Sequence, residues 1–290
     1  MSNKEQQIGG LDGFILVTAS KKKRRTTQNF KCPFNIHLKN HESKKPSEES
    51  CDLGITAFLQ NFKKIEENLI ASDFFKEIVN LIEPLLNQAK IEAIICLGLG
   101  KLSECLISCY QLALIRCLKG KLKDFSGKIQ FFDPIFTYKD IEILQLLDTA
   151  VLSENLEGKY LADQKTLFYL PHCPKQISNN LLWRNWQPEL LKNVYLICNS
   201  FENIILGNPE RVLNDNATYI LKAEKFCKEI KFLNNFRYTD IFNDFSLHYF
   251  DTSTFFTDPG LSVEPEYKIA DLELITRKIQ TNLKLKNGYN

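Results

Sequence analysis

"IEAIICLGLGKLSECLISCYQLALIRCLKG", residues 91–120, decides the fold. It opens on an unbroken apolar run that stops at two glycines, Gly98 and Gly100, and continues into a longer stretch with apolar residues at helical spacing. A continuous apolar run of that length belongs to a strand covered on both faces. The same pairing recurs down the chain: KIQFFDP with TYKDIEILQLLDT, then AVLSEN, KTLFYLPHC with PKQISNNLLWRNW, and NVYLICNSF with ENIILG and PERVLNDNATYILK. Strands alternating with helices imply βαβ units joined by right-handed crossovers. The expected fold class is therefore α/β, with a doubly wound, mostly parallel sheet. KFCKEIKF reads as a further strand and NDFSLHYF as a short closing segment.

Upstream, residues 55–89 repeat apolar side chains at intervals of three and four and predict two extra N-terminal helices, with Ser72 or Asp73 as the cap between them. Pro84 should end or kink the second near Glu83. Residues 1–50 are polar, broken by glycine and proline, and carry KKKRR; they predict a flexible basic arm with one short strand at FILVT. The main domain is expected over residues 51–250, and residues 251–290 as an irregular C-terminal extension with one helix around 270–285.

At 290 residues and 44% hydrophobic, the chain can bury a large core, which excludes wholesale disorder. Thirty-seven Lys and Arg nearly balance 35 Asp and Glu, so no global field draws it to nucleic acid or an anionic membrane. Nucleic acid is an unexpected partner on this ground, and any basic surface must be local. That locality points to Lys21, Lys22, Lys23, Arg24 and Arg25, a nuclear-import patch or simply a solvated run. The N-terminal apolar stretch is short and lacks a basic region before it, and the longest later one is interrupted by Arg116, so neither export nor a membrane span is expected. Nine cysteines sit mostly inside apolar runs, which suits a reducing compartment. The expected location is cytoplasmic, with nuclear entry through the basic patch.

In an open parallel sheet, ligands bind beyond the carboxyl ends of the strands, where the strand order reverses. Each expected strand ends in small or polar residues. Gly98, Gly100 and Ser103 follow the first, Asp133 and Pro134 the second, Glu154 and Asn155 the third, Pro171, His172 and Cys173 the fourth, and Asn199 and Ser200 the fifth. Asn243 and Asp244, with His248, complete a polar rim. Gly98 and Gly100 match the first two glycines of a dinucleotide fingerprint, with Ser103 where the third would stand, and Asp133 ends the next strand, where a carboxylate accepts from a ribose hydroxyl. These features make the sheet Rossmann-like and the crevice suited to a nucleotide-like ligand. Close strand–helix packing would use the same glycines, and Asp133-Pro134 would serve equally as a turn.

His172 and Cys173 invite a base-and-nucleophile pairing. Neighbours on an extended segment point to opposite faces, however, which favours His172 anchoring its loop or capping the next helix. Cys105, Cys109 and Cys117 share a helix face with Leu112 and Ala113 and read as packing against the sheet; no metal site is expected, since paired ligand spacings are missing. Cys32-Pro33 and Cys173-Pro174 have the form of a Cys-Pro haem contact, a pattern two dipeptides also reach by accident. Nucleophile-elbow, P-loop and metalloprotease signatures do not occur.

The succession CLGLGKLSECLISCYQLAL, FFDPIFT, LSENLEGKY, TLFYLPHCPKQISNNLLWRNW, NVYLICNSF and FNDFSLHYF, with DGFILVTASKKKRR before it, resembles the sensitivity-to-red-light-reduced (SRR-like) family over residues 90 to 250. Residues 170–186 are the most specific part. The resemblance implies a regulator more than an enzyme of established reaction, with links to light and circadian input in plants, haem biosynthesis in animals and microtubule-related processes in fungi. It adds Tyr110, Gln111, Gly158, Asn179, Asn180 and Trp183 to the motif positions and implies no catalytic residue. The expected function is an intracellular regulatory protein with a crevice for a nucleotide-like or tetrapyrrole (haem) ligand and with protein partners. Two alternatives stay open: a transferase using an S-adenosylmethionine-like cofactor with His172 or Asp244 as general base, and an interaction scaffold that binds no ligand.

Overall fold

Ser72 marks the break between the first two helices. Its hydroxyl oxygen accepts from the Phe75 amide at 3.2 Å, a cap of about 1 kcal/mol that separates helices α1 (Glu48–Ala71) and α2 (Asp73–Ala89). In the computed structural model the described residues are 48–254, 263–267 and 276. The basic patch Lys21–Arg25, the FILVT strand, Cys32-Pro33 and nearly all of the expected 270–285 helix lie outside them. Pro84 does not end α2, which runs on to Ala89. Buried Ile82 and Leu86 on either side of the proline tie the helix to the core and outweigh the lost hydrogen bond.

The remaining elements follow in alternation: β1 (Ala93–Leu97), α3 (Leu106–Lys119), β2 (Ile129–Phe132), α4 (Tyr138–Leu146), β3 (Ala150–Val151), β4 (Thr166–Tyr169), α5 (Lys175–Arg184), α6 (Pro188–Leu191), β5 (Val194–Asn199), α7 (Phe201–Leu206), α8 (Glu210–Asn216), α9 (Thr218–Ala223), β6 (Cys227–Lys231) and β7 (Phe245–Phe250). The sheet order is β3-β2-β1-β4-β5-β7-β6. Pairs from β3 through β5 are parallel, and β7 pairs antiparallel with both β5 and β6. The fold is thus the expected mostly parallel α/β sheet with N-terminal helices. NDFSLHYF is more than a closing segment: it is a strand inserted between β5 and β6.

Alternation along the strands sends their side chains into two cores. Ile94 and Cys96 of β1 join Leu167 and Tyr169 of β4 on the face covered by α1 to α4. Ile95, Leu97 and Phe168 face the other way, onto residues of α5, α8 and α9. Both faces are dry, which is why the strands read as unbroken apolar runs. The PERVLNDNATYILK stretch divides into α8 and α9 at Ala217, whose φ of −152° is not helical. The chain lays down β1, β2 and β3 outward in one direction, then returns to β1 and adds β4 and β5 in the other. The order reverses between β1 and β4, where a ligand crevice belongs.

Candidate functional site

A cavity of about 380 Å³ opens at that reversal point, within the roughly 300–1,000 Å³ of small-molecule sites. Its floor is the glycine turn after β1. Gly98 and Gly100 have φ of 70° and 81°, a region costly for residues with a Cβ. A Cβ on Gly98 would also collide with Cys173 Sγ, so the turn after β1 and the turn after β4 touch only because Gly98 has no side chain.

Two carboxylates hold the glycine turn. Asp133 accepts from Gly100 N at 2.7 Å through one oxygen and from Ile135 N at 2.9 Å through the other. Asp140 closes a capping box at the start of α4, accepting from Thr137 N at 2.9 Å. Its second oxygen reaches across to accept from Leu102 N at 3.0 Å and Ser103 N at 3.1 Å. The amides of Gly100, Leu102 and Ser103, which a phosphate would need in a dinucleotide fold, therefore already have internal anionic acceptors. The fingerprint glycines pack and turn, and Ser103 itself lies outside the cavity lining. Burial lifts the Asp133 carboxyl above its ordinary range, the two backbone hydrogen bonds opposing that rise.

The second wall comes from the turn after β4, where His172 has a φ of 51°. The Gln111 side-chain amide donates to His172 Nδ1 at 3.2 Å and to Ile241 O at 3.1 Å, so His172 Nε2–H donates to Asn243 O at 3.0 Å. Both ring nitrogens are used, and the ring stands edge-on to Phe245 at 5.0 Å. This is the anchoring role; the ring has no lone pair left for a general base. Cys173 Sγ donates instead to Leu97 O at 3.2 Å. Burial, then the Asp133 charge, pushes its thiol well above the ordinary value. A His172–Cys173 nucleophile pair does not form, and with these contacts neither residue is available as an axial haem ligand. Asp244, the other base considered, holds the Asn203 side-chain amide and gives its backbone oxygen to Ser200 N at 2.9 Å, outside the cavity.

The third wall is the loop after β3. Asn155, Gly158 and Tyr160 line the cavity, while Glu154 is exposed outside it. The loop is held by α5: Asn180 Nδ2 donates to Glu157 O at 2.7 Å, and just past the helix Asn185 accepts from Ala162 N at 2.7 Å and donates to Tyr160 O at 2.8 Å. Trp183 and Trp186 are half-buried and pack against the core on that face, Trp186 edge-on to Tyr219 at 5.0 Å.

Of the sequence-derived set, Gly98, Gly100, Asp133 and Pro134 meet Asn155, Pro171, His172 and Cys173 around one space. Asn199 lines a neighbouring cavity of about 460 Å³ that shares His172 and Cys173 with the first. Ser200 turns away to cap α7, accepting from Asn203 N at 3.1 Å, and Asn243 contributes only its backbone oxygen. His248 is wholly buried within β7 and leaves the rim altogether. Ser108, Tyr160 and Ile177 were not foreseen, and Cys105 lines the cavity where sheet packing was expected. Ser108 and Gln111 carried a usable signal: two polar residues three apart in the otherwise apolar stretch 106–115. Among the described residues that line the cavity, Asp133 is the only Asp, Glu, Lys or Arg. Among the described residues no cluster of three metal-binding side chains occurs, and no helix is long and apolar enough to cross a membrane.

The SRR1 domain family model matches residues 63–249. An SRR1-like protein of Drosophila melanogaster is 32% identical over 78% of this chain and 81% of its own length. The Arabidopsis thaliana protein SENSITIVITY TO RED LIGHT REDUCED 1 is 24% identical over 73% of this chain and 77% of its own length. Among solved structures, a Podospora anserina methyltransferase with bound SAH aligns over 73% of this chain and all of its own, at 13% identity and a TM-score of 0.35.

Proposed function

The chain belongs to the SRR1 domain family, and from that premise we propose that it is a regulatory protein whose crevice binds a small, phosphate-free, nucleoside-like molecule. The observation that carries this is the charge of the lining: among the described residues, one carboxylate, Asp133, and no Lys or Arg. A polyphosphate would enter beside that carboxylate with no counter-ion, against amides already committed to Asp133 and Asp140. A flat, uncharged or cationic ring suits the apolar walls of Leu97, Phe132, Tyr160 and Ile177, and a hydroxyl donating to Asp133 would orient it. The name of the Arabidopsis relative favours a role in signal input. Light, haem and microtubule links remain family expectations that no residue of the cavity supports individually.

Thermal-shift and calorimetric titration with adenosine, AMP, ATP and hemin tests the reading. A ligand at one hundred times its Kd should add about 2.7 kcal/mol of stability. Adenosine is expected to bind more tightly than AMP, and AMP more tightly than ATP. Tightest binding by ATP or hemin, or none by any of the four, overturns it.

Protein partners and nuclear entry through Lys21–Arg25 belong to the same proposal, on the strength of the basic run in the sequence. A fluorescent fusion in which the five residues are alanine should lose nuclear signal. A group-transfer enzyme is the weaker reading, because His172 and Asp244 are both engaged elsewhere.

A further inference from the structure

The neighbouring cavity differs from the first in charge and in what it leaves unpaired. It is lined by Lys175, Asn199, Ile204 and Asn208 together with the turn His172–Pro174, with no acidic side chain among the described residues. Lys175 has no ion-pair or hydrogen-bond partner among the described residues. Asn199 Oδ1 is buried without a hydrogen-bond donor, which leaves a desolvated acceptor at a cost that a donor group would recover. Asn208 has already given its amide to Ile204 O at 2.7 Å and keeps its own oxygen as a further acceptor. An ammonium without a counter-ion and two amide oxygens without donors call for complementary groups on a single guest.

We propose that this cavity is a second binding site, for a small hydroxylated acid: its carboxylate or phosphate pairs with Lys175, and its hydroxyl donates to Asn199 Oδ1 once that buried amide turns toward the guest. The site takes an anion where the first cavity repels one, and the two are partitioned by the turn at His172 and Cys173 that lines both. The proposal does not depend on what fills the first cavity.

The test uses the full chain and four probes followed by amide and side-chain NMR: glycerol 3-phosphate, glycerate, glycerol and inorganic phosphate. Saturable shifts at the Asn199 side-chain amide and the Lys175 backbone amide are expected with at least one of the two hydroxylated acids. Comparison of those two decides between phosphate and carboxylate. Glycerol, which lacks the acid group, should bind at least about tenfold more weakly, the loss expected for one charge-assisted hydrogen bond, and inorganic phosphate, which lacks the carbon-borne hydroxyl, more weakly by a lesser factor. Lys175→Met should weaken the acid at least about tenfold and Asn199→Ala by a lesser factor, while the urea-unfolding midpoint is little changed in both. The absence of shifts with all four probes overturns the proposal. So does equal binding of inorganic phosphate and glycerol 3-phosphate, or an acid affinity that Lys175→Met does not alter.

Discussion

Asp133 Oδ2 accepts from the Gly100 amide at 2.7 Å, so the end of β2 holds the turn that follows β1. A carboxylate in that place competes with any phosphate for the turn, and it is also the charge a ligand meets on entry. Burial raises its pKa, so its charge is lost at a higher pH than for an exposed aspartate. A ligand hydroxyl donating to the carboxylate should therefore bind most tightly at neutral pH and weaken as pH falls through that raised value. Calorimetry with adenosine from pH 7.5 down to pH 4 measures this. A pH-independent affinity would remove Asp133 from ligand recognition, and in Asp133→Asn the pH dependence should vanish.

Gly98 and Cys173 make a second prediction, readable by urea unfolding. Gly98→Ala pays for a left-handed backbone, about 1–2 kcal/mol, and for overlap with Cys173 Sγ, which adds about 1–3 kcal/mol. Removing the sulfur in Cys173→Ala relieves the overlap and leaves the backbone strain. The double variant should be less destabilised than the sum of the singles by about 1 kcal/mol or more. Strict additivity would mean that the two turns do not touch in solution.

The same two turns mark what could be read in advance. Gly98, Asp133 and His172 are adjacent to apolar runs that identify themselves as strands, so their meeting follows from parallel order alone. Tyr160 and Gly158 have no such signal. They come to the cavity because Asn180 and Asn185 hold their loop, a contact more than twenty residues long in sequence. His248 misled for the opposite reason: a polar residue near a predicted rim is buried, its Nδ1 lying 3.2 Å from Leu196 O across the β5–β7 pair. Pro84 shows local propensity yielding to a buried helix face.

Tyr267 extends the loop's support to the C-terminal side. Its hydroxyl donates to Asn180 Oδ1 at 2.7 Å and accepts from Asn179 Nδ2 at 2.9 Å, and nearby Glu264 pairs with Lys159. Tyr267→Phe leaves Asn180 without that donor and should cost about 1–2 kcal/mol. Because Asn180 also holds Glu157 O, hydrogen exchange should quicken over residues 156–160. A variant of unchanged stability and exchange would show that this contact carries no weight.

Glu229 on β6 supplies a pH-dependent stability term far from the cavity. Burial works against its charge, but the side chains of His248 and Ser200 more than offset that and hold the carboxyl at about 2, against 4.5 ordinarily. The folded chain then binds fewer protons than the unfolded chain between those values. The contribution is fully present above pH 4.5 and disappears as pH falls toward 2. It should be on the order of 2 kcal/mol once residual solvent contact is discounted. Glu229→Gln cannot make it, so the stability gap between wild type and variant should narrow steadily over that window in urea titrations at successive pH values. A gap that stays constant from pH 5 to pH 2.5 would mean that Glu229 titrates like an exposed carboxylate and that His248 does not stabilise its charge.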